Sequence, residues 1–156
     1  MDNWTVLKRI EELEDKLAVC YEQLQKTFYY NPSVASFFYR MSLDEKSHGD
    51  IVRYQLRVLN KNKSAFGKIT LDMSKIDETL DRISKIMKDE PSIKDALQFT
   101  LDIEKSAAEF YLISAGKESN GDLSVLLDNF ALSCKTHFAN VQKFMEEQNF
   151  DTKLRP

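Results

Sequence analysis

Met41-Ser42-Leu43-Asp44-Glu45-Lys46-Ser47-His48 and Phe130-Ala131-Leu132-Ser133-Cys134-Lys135-Thr136-His137 read as two copies of one pattern. Lys and His coincide in the two copies, Ser47 stands against Thr136, and the chemical break in the seam is Glu45 against Cys134. The chain has two histidines, and they end the two copies. Each copy lies in a longer apolar run of helical period. Val34, Phe38, Met41, Glu45, His48, Val52, Gln55 and Leu59 follow one another at spacings of three and four, as do Leu123, Leu127, Phe130, Cys134, His137, Val141 and Phe144. That rhythm is a helix face turned to a partner, so both copies are expected on helices with Glu and His in the seam.

A second repeat lies upstream of each copy. Leu7, Ile10, Glu14, Leu17, Tyr21, Leu24 and Phe28 form one seam, and Ile93, Leu97, Thr100, Glu104, Ala107, Tyr111 and Ser114 form another. In both, a Glu is followed seven residues later by a Tyr. The first of these helices is expected from Asn3, a plausible N-cap, to about Phe28. Asn31-Pro32 closes it and opens the next, since Asn caps well and Pro fits the first helical position. Asn60 to Met73 reads as a polar crossover containing Gly67, and Ser74 to Asp89 as a shorter helix with Ile76, Leu80, Ile83 and Ile86 on its apolar stripe. Glu90-Pro91 ends that helix, and Lys117 to Gly121 is a turn with an Asn-Gly step. The expected fold is all-α: two antiparallel hairpins joined by a long connection, in a crossed-over four-helix bundle. Residues 1–148 form one domain in this reading, and 149–156 a C-terminal tail.

A carboxylate in an apolar seam needs a reason. Taking an ionised carboxylate out of water costs several kcal/mol unless it is paired or bound to a cation. Glu14, Glu45 and Glu104 all occupy such positions, and His48 and His137 occupy two more. Glu45-x-x-His48 puts both groups on one helix face. Imidazole with carboxylates suits iron, manganese or zinc rather than calcium. Taken singly, each residue has a plainer reading: a seam Glu is sometimes surface, a core His sometimes a satisfied core group, and Cys134 a small buried hydrophobe. Cys20 is read as packing. Glu11, Glu12, Asp15 and Asp44 are read as solvated helix surface, and the aromatics Phe28-Tyr29-Tyr30 and Phe37-Phe38-Tyr39 as hairpin packing that would also serve as a dimer face.

These residues in this order resemble the rubrerythrin-type members of the ferritin-like, di-iron carboxylate superfamily over nearly the whole chain. The resemblance rests on Glu14 with Tyr21, on Asp44-Glu45-Lys46-Ser47-His48, on Glu104 with Phe110-Tyr111, and on His137. It implies a ferritin-like four-helix bundle with its long crossover between helices two and three. It also implies two iron ions, one held by Glu14 and His48 and the other by Glu104 and His137, with Glu45 bridging. Tyr21 and Tyr111 would serve the reacting centre by orienting carboxylates through hydrogen bonds. The implied activity is reduction of hydrogen peroxide, or oxidation of ferrous iron by peroxide or oxygen, with a homodimer as the assembly.

Three departures stand against that pattern. Cys134 replaces the second bridging Glu; a thiolate can ligate zinc or iron, or be oxidised by peroxide chemistry beside it. Ala107 stands where rubrerythrins carry an extra Glu that exchanges with a His as the iron changes redox state. No rubredoxin-like module with two Cys-x-x-Cys pairs follows, so electrons would come from a separate donor. These departures keep two other readings open: a mononuclear or zinc site without turnover, and a bundle that has lost its metals and serves protein interaction.

Composition narrows the rest. The 156 residues are 42% hydrophobic and 30% charged, an ordinary globular balance with room for a core. Four Gly and three Pro are few for a turn-rich β fold. The net charge of -3, with no basic stripe, argues against a nucleic-acid partner. No run approaches the roughly 18 apolar residues of a spanning helix, and no signal peptide is evident at the N-terminus, so a cytoplasmic protein away from membranes is expected. Two cysteines are too few for a disulfide framework.

Overall fold

A computed structural model describes residues 3–61, 73–117 and 121–150. Those residues form five helices: α1 (Asn3–Thr27), α2 (Pro32–Lys61), α3 (Met73–Lys88), α4 (Ile93–Lys117) and α5 (Gly121–Glu147). Among the described residues there is no strand. The protein is all-α, and the short helix expected between the two hairpins is α3. The expected crossover with Gly67, the centre of the Asn-Gly turn and most of the tail lie outside the described residues. The chain divides into two compact units, Met1–Lys88 and Asp89–Pro156.

In the first unit, α1 pairs along its length with α2, and α3 packs on α1. The entry to α2 follows the cap chemistry read from Asn31-Pro32: the Val34 amide donates to Asn31 Oδ1 at 3.3 Å, and the Ala35 amide donates to the Asn31 carbonyl at 2.9 Å. All seven α1 seam positions, Leu7 to Phe28, are buried. On α2 the seam holds at Val34, Phe38, Met41, Glu45, His48, Val52 and Leu59, all buried; Gln55 departs from it, half-buried beside a buried Leu56. α3 is amphipathic, with Ile76, Leu80 and Ile83 buried. Each such side chain contributes roughly 1.5–3 kcal/mol. Arg9 bridges Glu12 and Asp77, and Gln23 Nε2 donates to the Met87 carbonyl at 2.9 Å, which fixes α3 along α1.

In the second unit, α4 pairs with α5. Ser92 caps α4: its Oγ accepts from the Asp95 amide at 3.1 Å, and its carbonyl accepts from the Ala96 amide. α5 begins at Gly121, which the sequence reading had placed in the turn. Its end is a Schellman cap. The Phe150 amide donates to the Met145 carbonyl at 2.8 Å and the Asn149 amide to the Glu146 carbonyl at 3.0 Å, with Asn149 at φ 60°. Asn tolerates that left-handed position better than most residues. The tail expected from Asn149 onward therefore opens with a helix cap. Among the described residues, no helix is long and apolar enough to cross a membrane.

Candidate metal centre

The first hairpin gathers three ligand-type side chains. Glu14 comes from the middle of α1, and Glu45 and His48 lie one turn apart on α2. All three are buried. His48 Nδ1 lies 3.2 Å from Glu45 Oε2 and 3.6 Å from Glu14 Oε2, and the ligand atoms of the three all lie within 4.8 Å of one another. With metal–ligand bonds of ~2.0–2.2 Å, neighbouring ligand atoms around one ion stand about 3–3.5 Å apart. Of the two His48 distances one falls within that range and the other just above it, so the donor set could close on a divalent ion with a small contraction.

Protons compete for the same atoms. Burial by itself lowers the His48 pKa, but hydrogen bonds to Glu14 and Glu45, reinforced by their charges, outweigh it and hold the imidazole up at about 10. The metal-free triad is therefore a histidinium held by two carboxylates, and an ion entering the site must displace that proton.

Gly49, next to His48, lets α1 come close. A Cβ there would overlap Asp15 Oδ1 and come 3.0 Å from Arg53 Nη2. Arg53 in turn grips Asp15 with Nη1 at 2.8 and 3.0 Å and reaches Asp50 with Nη2 at 2.7 Å. Asp15, expected as solvated surface, is thus part of an α1–α2 clamp one residue along from Glu14. A Gly directly after the seam His was the sequence signal for it.

The second hairpin gathers two such groups. Glu104 of α4 and His137 of α5 are buried, with His137 Nδ1 3.4 Å from Glu104 Oε2. The contact lacks the alignment of a hydrogen bond, and its length again suits two ligands facing a common ion. Cys134 is buried one turn before His137 but is not among the residues whose ligand atoms converge. Ala107, one turn after Glu104, brings no ligand.

Tyr21 and Tyr111 are both fully buried. Tyr21 stacks on Phe38 at 6.1 Å between centroids, and Tyr111 meets Phe130 edge-on at 5.4 Å. Cys20 is buried, and burial pushes its thiol up to about 12, which suits the packing role expected of it.

Comparison with known proteins finds no matching family model, no matching curated protein and no matching solved structure. Buried Glu and His groups able to hold a metal ion are therefore the firmest functional feature of the chain.

Proposed function

We propose that the protein binds iron through its buried Glu/His groups and reduces hydrogen peroxide there. The observation that carries this reading is the convergence of Glu14, Glu45 and His48 within 4.8 Å in a buried pocket of ligand atoms. Two buried carboxylates against one histidinium leave the metal-free triad with an uncompensated negative charge, and together the three groups match the ligand preferences of iron. The resemblance to rubrerythrins would imply a ferritin-like bundle with a dinuclear iron centre in which Glu45 is a bridging ligand.

Bound iron would supply the redox chemistry. The chain's own part is narrower: Glu14, Glu45, His48, Glu104 and His137 hold and orient the ions, His48 gives up its proton on loading, and the seam residues exclude water. The decisive experiment is elemental analysis after anaerobic loading with ferrous iron and removal of unbound metal, followed by peroxide consumption. About two irons per chain with rapid peroxide loss is the expected result. Loaded iron that leaves peroxide untouched overturns the catalytic part.

Cys134 favours a second reading. It stands where the resemblance calls for a bridging Glu, and its sulfur is not among the converging ligand atoms. In that reading the first hairpin holds a single ion, iron or zinc, without turnover. One tightly held ion per chain and no peroxide consumption would select it.

A further inference from the structure

Five aromatic rings of the first hairpin form an unbroken series from the core to the surface. Tyr21 contacts Phe38 with centroids 6.1 Å apart, Phe38 contacts Phe28 at 6.1 Å, Phe28 contacts Tyr30 at 6.3 Å, and Tyr30 contacts Tyr29 at 6.0 Å. Each step is within the ordinary contact range of aromatic pairs. Tyr21, Phe38 and Phe28 are buried at 1% exposure or less, whereas Tyr30 is 64% and Tyr29 79% exposed. The inner end starts two helical turns from Glu14, about 10.5 Å along α1 at ~1.5 Å per residue.

The second hairpin lacks this series although it repeats the Glu and Tyr. Aligned on Glu14/Glu104 and His48/His137, Leu127 stands for Phe38, and Glu118-Ser119-Asn120 stand for Phe28-Tyr29-Tyr30. Hairpin packing alone therefore does not demand these rings. Burial does not explain the outer two either, since phenols more than half exposed add little to a core.

We propose that Tyr29 and Tyr30 are an electron port, and that the rings of Phe28, Phe38 and Tyr21 connect them to the buried Glu14/Glu45/His48 site. The inference rests on the iron and peroxide reading given above. The two tyrosines each give one electron inward and one phenolic proton to water, leaving phenoxyl radicals. The two electrons and two protons break the O–O bond of one hydrogen peroxide and yield two waters. Phe28 and Phe38 are not themselves oxidised; they shorten the gap that an electron must tunnel between Tyr30 and Tyr21. In the presence of a reductant, the same two phenols are where electrons enter.

The hairpin contains its own control. Tyr54 is 58% exposed and Tyr39 47%, yet neither belongs to the series. Protein loaded with ferrous iron and freed of unbound metal would be given two equivalents of hydrogen peroxide per chain without oxygen, the first to oxidise the iron and the second to draw two electrons from the tyrosines, and examined by radical spectroscopy and by peptide mapping of oxidised tyrosines. Oxidation is expected at Tyr29 and Tyr30, several-fold above Tyr54 and Tyr39. Phe38→Leu, which installs the residue of the second hairpin, should remove that selectivity while the iron content stays unchanged. Tyr30→Phe, an exposed change with no folding consequence, should lower oxidation at Tyr29. Bound iron that peroxide oxidises, with all four exposed tyrosines modified alike or with selectivity intact in Phe38→Leu and Tyr30→Phe, overturns the port and leaves the metal reading standing. Protein that retains no iron overturns both.

Discussion

The two hairpins are built on one plan and equipped differently. Each has a Glu followed by a Tyr on its first helix and a His in the seam of its second. The first brings Glu14, Glu45 and His48 together, whereas the second brings Glu104 and His137 to 3.4 Å with Cys134 outside the converging atoms. The first has Gly49 beside its His and a tight Asp15–Arg53 clamp; the second has half-buried Phe138 at that place. The first continues its tyrosine outward through Phe38 and Phe28 to exposed phenols, and the second does not. From its own helices the first hairpin thus supplies three candidate ligands and the second two.

The sharpest way to break that contrast is to remove ligands one hairpin at a time. Residues that merely orient ligands cost about 10–100-fold in metal affinity when mutated, so loss of a direct ligand should cost at least about 100-fold. Glu45→Ala should abolish tight iron binding and peroxide consumption. His137→Ala should leave the first hairpin's ion in place. Calorimetric titration of both variants checks this, and equal losses would erase the distinction between the hairpins.

A smaller effect is expected from pH. The His48 imidazole is held at about 10 in the metal-free protein against ~6.5 unfolded. Binding displaces one proton wherever His48 is protonated in the folded protein, so the apparent affinity of the first hairpin should rise about tenfold per pH unit up to about 10 and level off above it. The metal-free fold behaves in the opposite sense. A raised folded pKa contributes stability that is full below ~6.5 and lost as pH rises through about 10. Melting of the apo protein should accordingly fall across that window and flatten in His48→Gln. A pH-independent affinity would show that the imidazole is already neutral before loading.

Cys134→Glu tests the comparison from the other side. It restores the carboxylate that Glu45 supplies in the first copy; if the wild type holds one ion per chain because of the thiol, the variant should hold about two. The metal-free variant should melt lower, because it buries another carboxylate without a partner. An unchanged count of one would trace the missing ion to some other difference.

The least effect is expected at Gly49. Ala is favoured over Gly within a helix by about 1 kcal/mol, but its Cβ would displace Asp15 from Arg53, a half-exposed ion pair worth ~0–1 kcal/mol. The two terms nearly cancel, so the melting temperature of Gly49→Ala should scarcely move while Asp15 reorients. A large drop would mean that the clamp sets the helix separation, and with it the Glu14–His48 distance.

The sequence by itself determined the helices, their seams and the buried Glu and His groups. Spacing of three and four selects one face of a helix, Asn31-Pro32 marks a boundary chemically, and a Glu or His surrounded by Leu, Val and Phe at seam positions has nowhere to go but inward. Glu14, Glu45, His48, Glu104 and His137 were legible for that reason. Tertiary structure decided what periodicity cannot encode. Packing of α2 buried Leu56 and left the neighbouring Gln55 half-buried. A partner on another helix turned Asp15 from surface charge into a clamp. Side-chain placement left Cys134 out of the converging ligands, and hairpin geometry strung Tyr21, Phe38, Phe28, Tyr30 and Tyr29 into one series. Each of these depends on distances between residues far apart in the chain, and such distances exist only once the helices have packed.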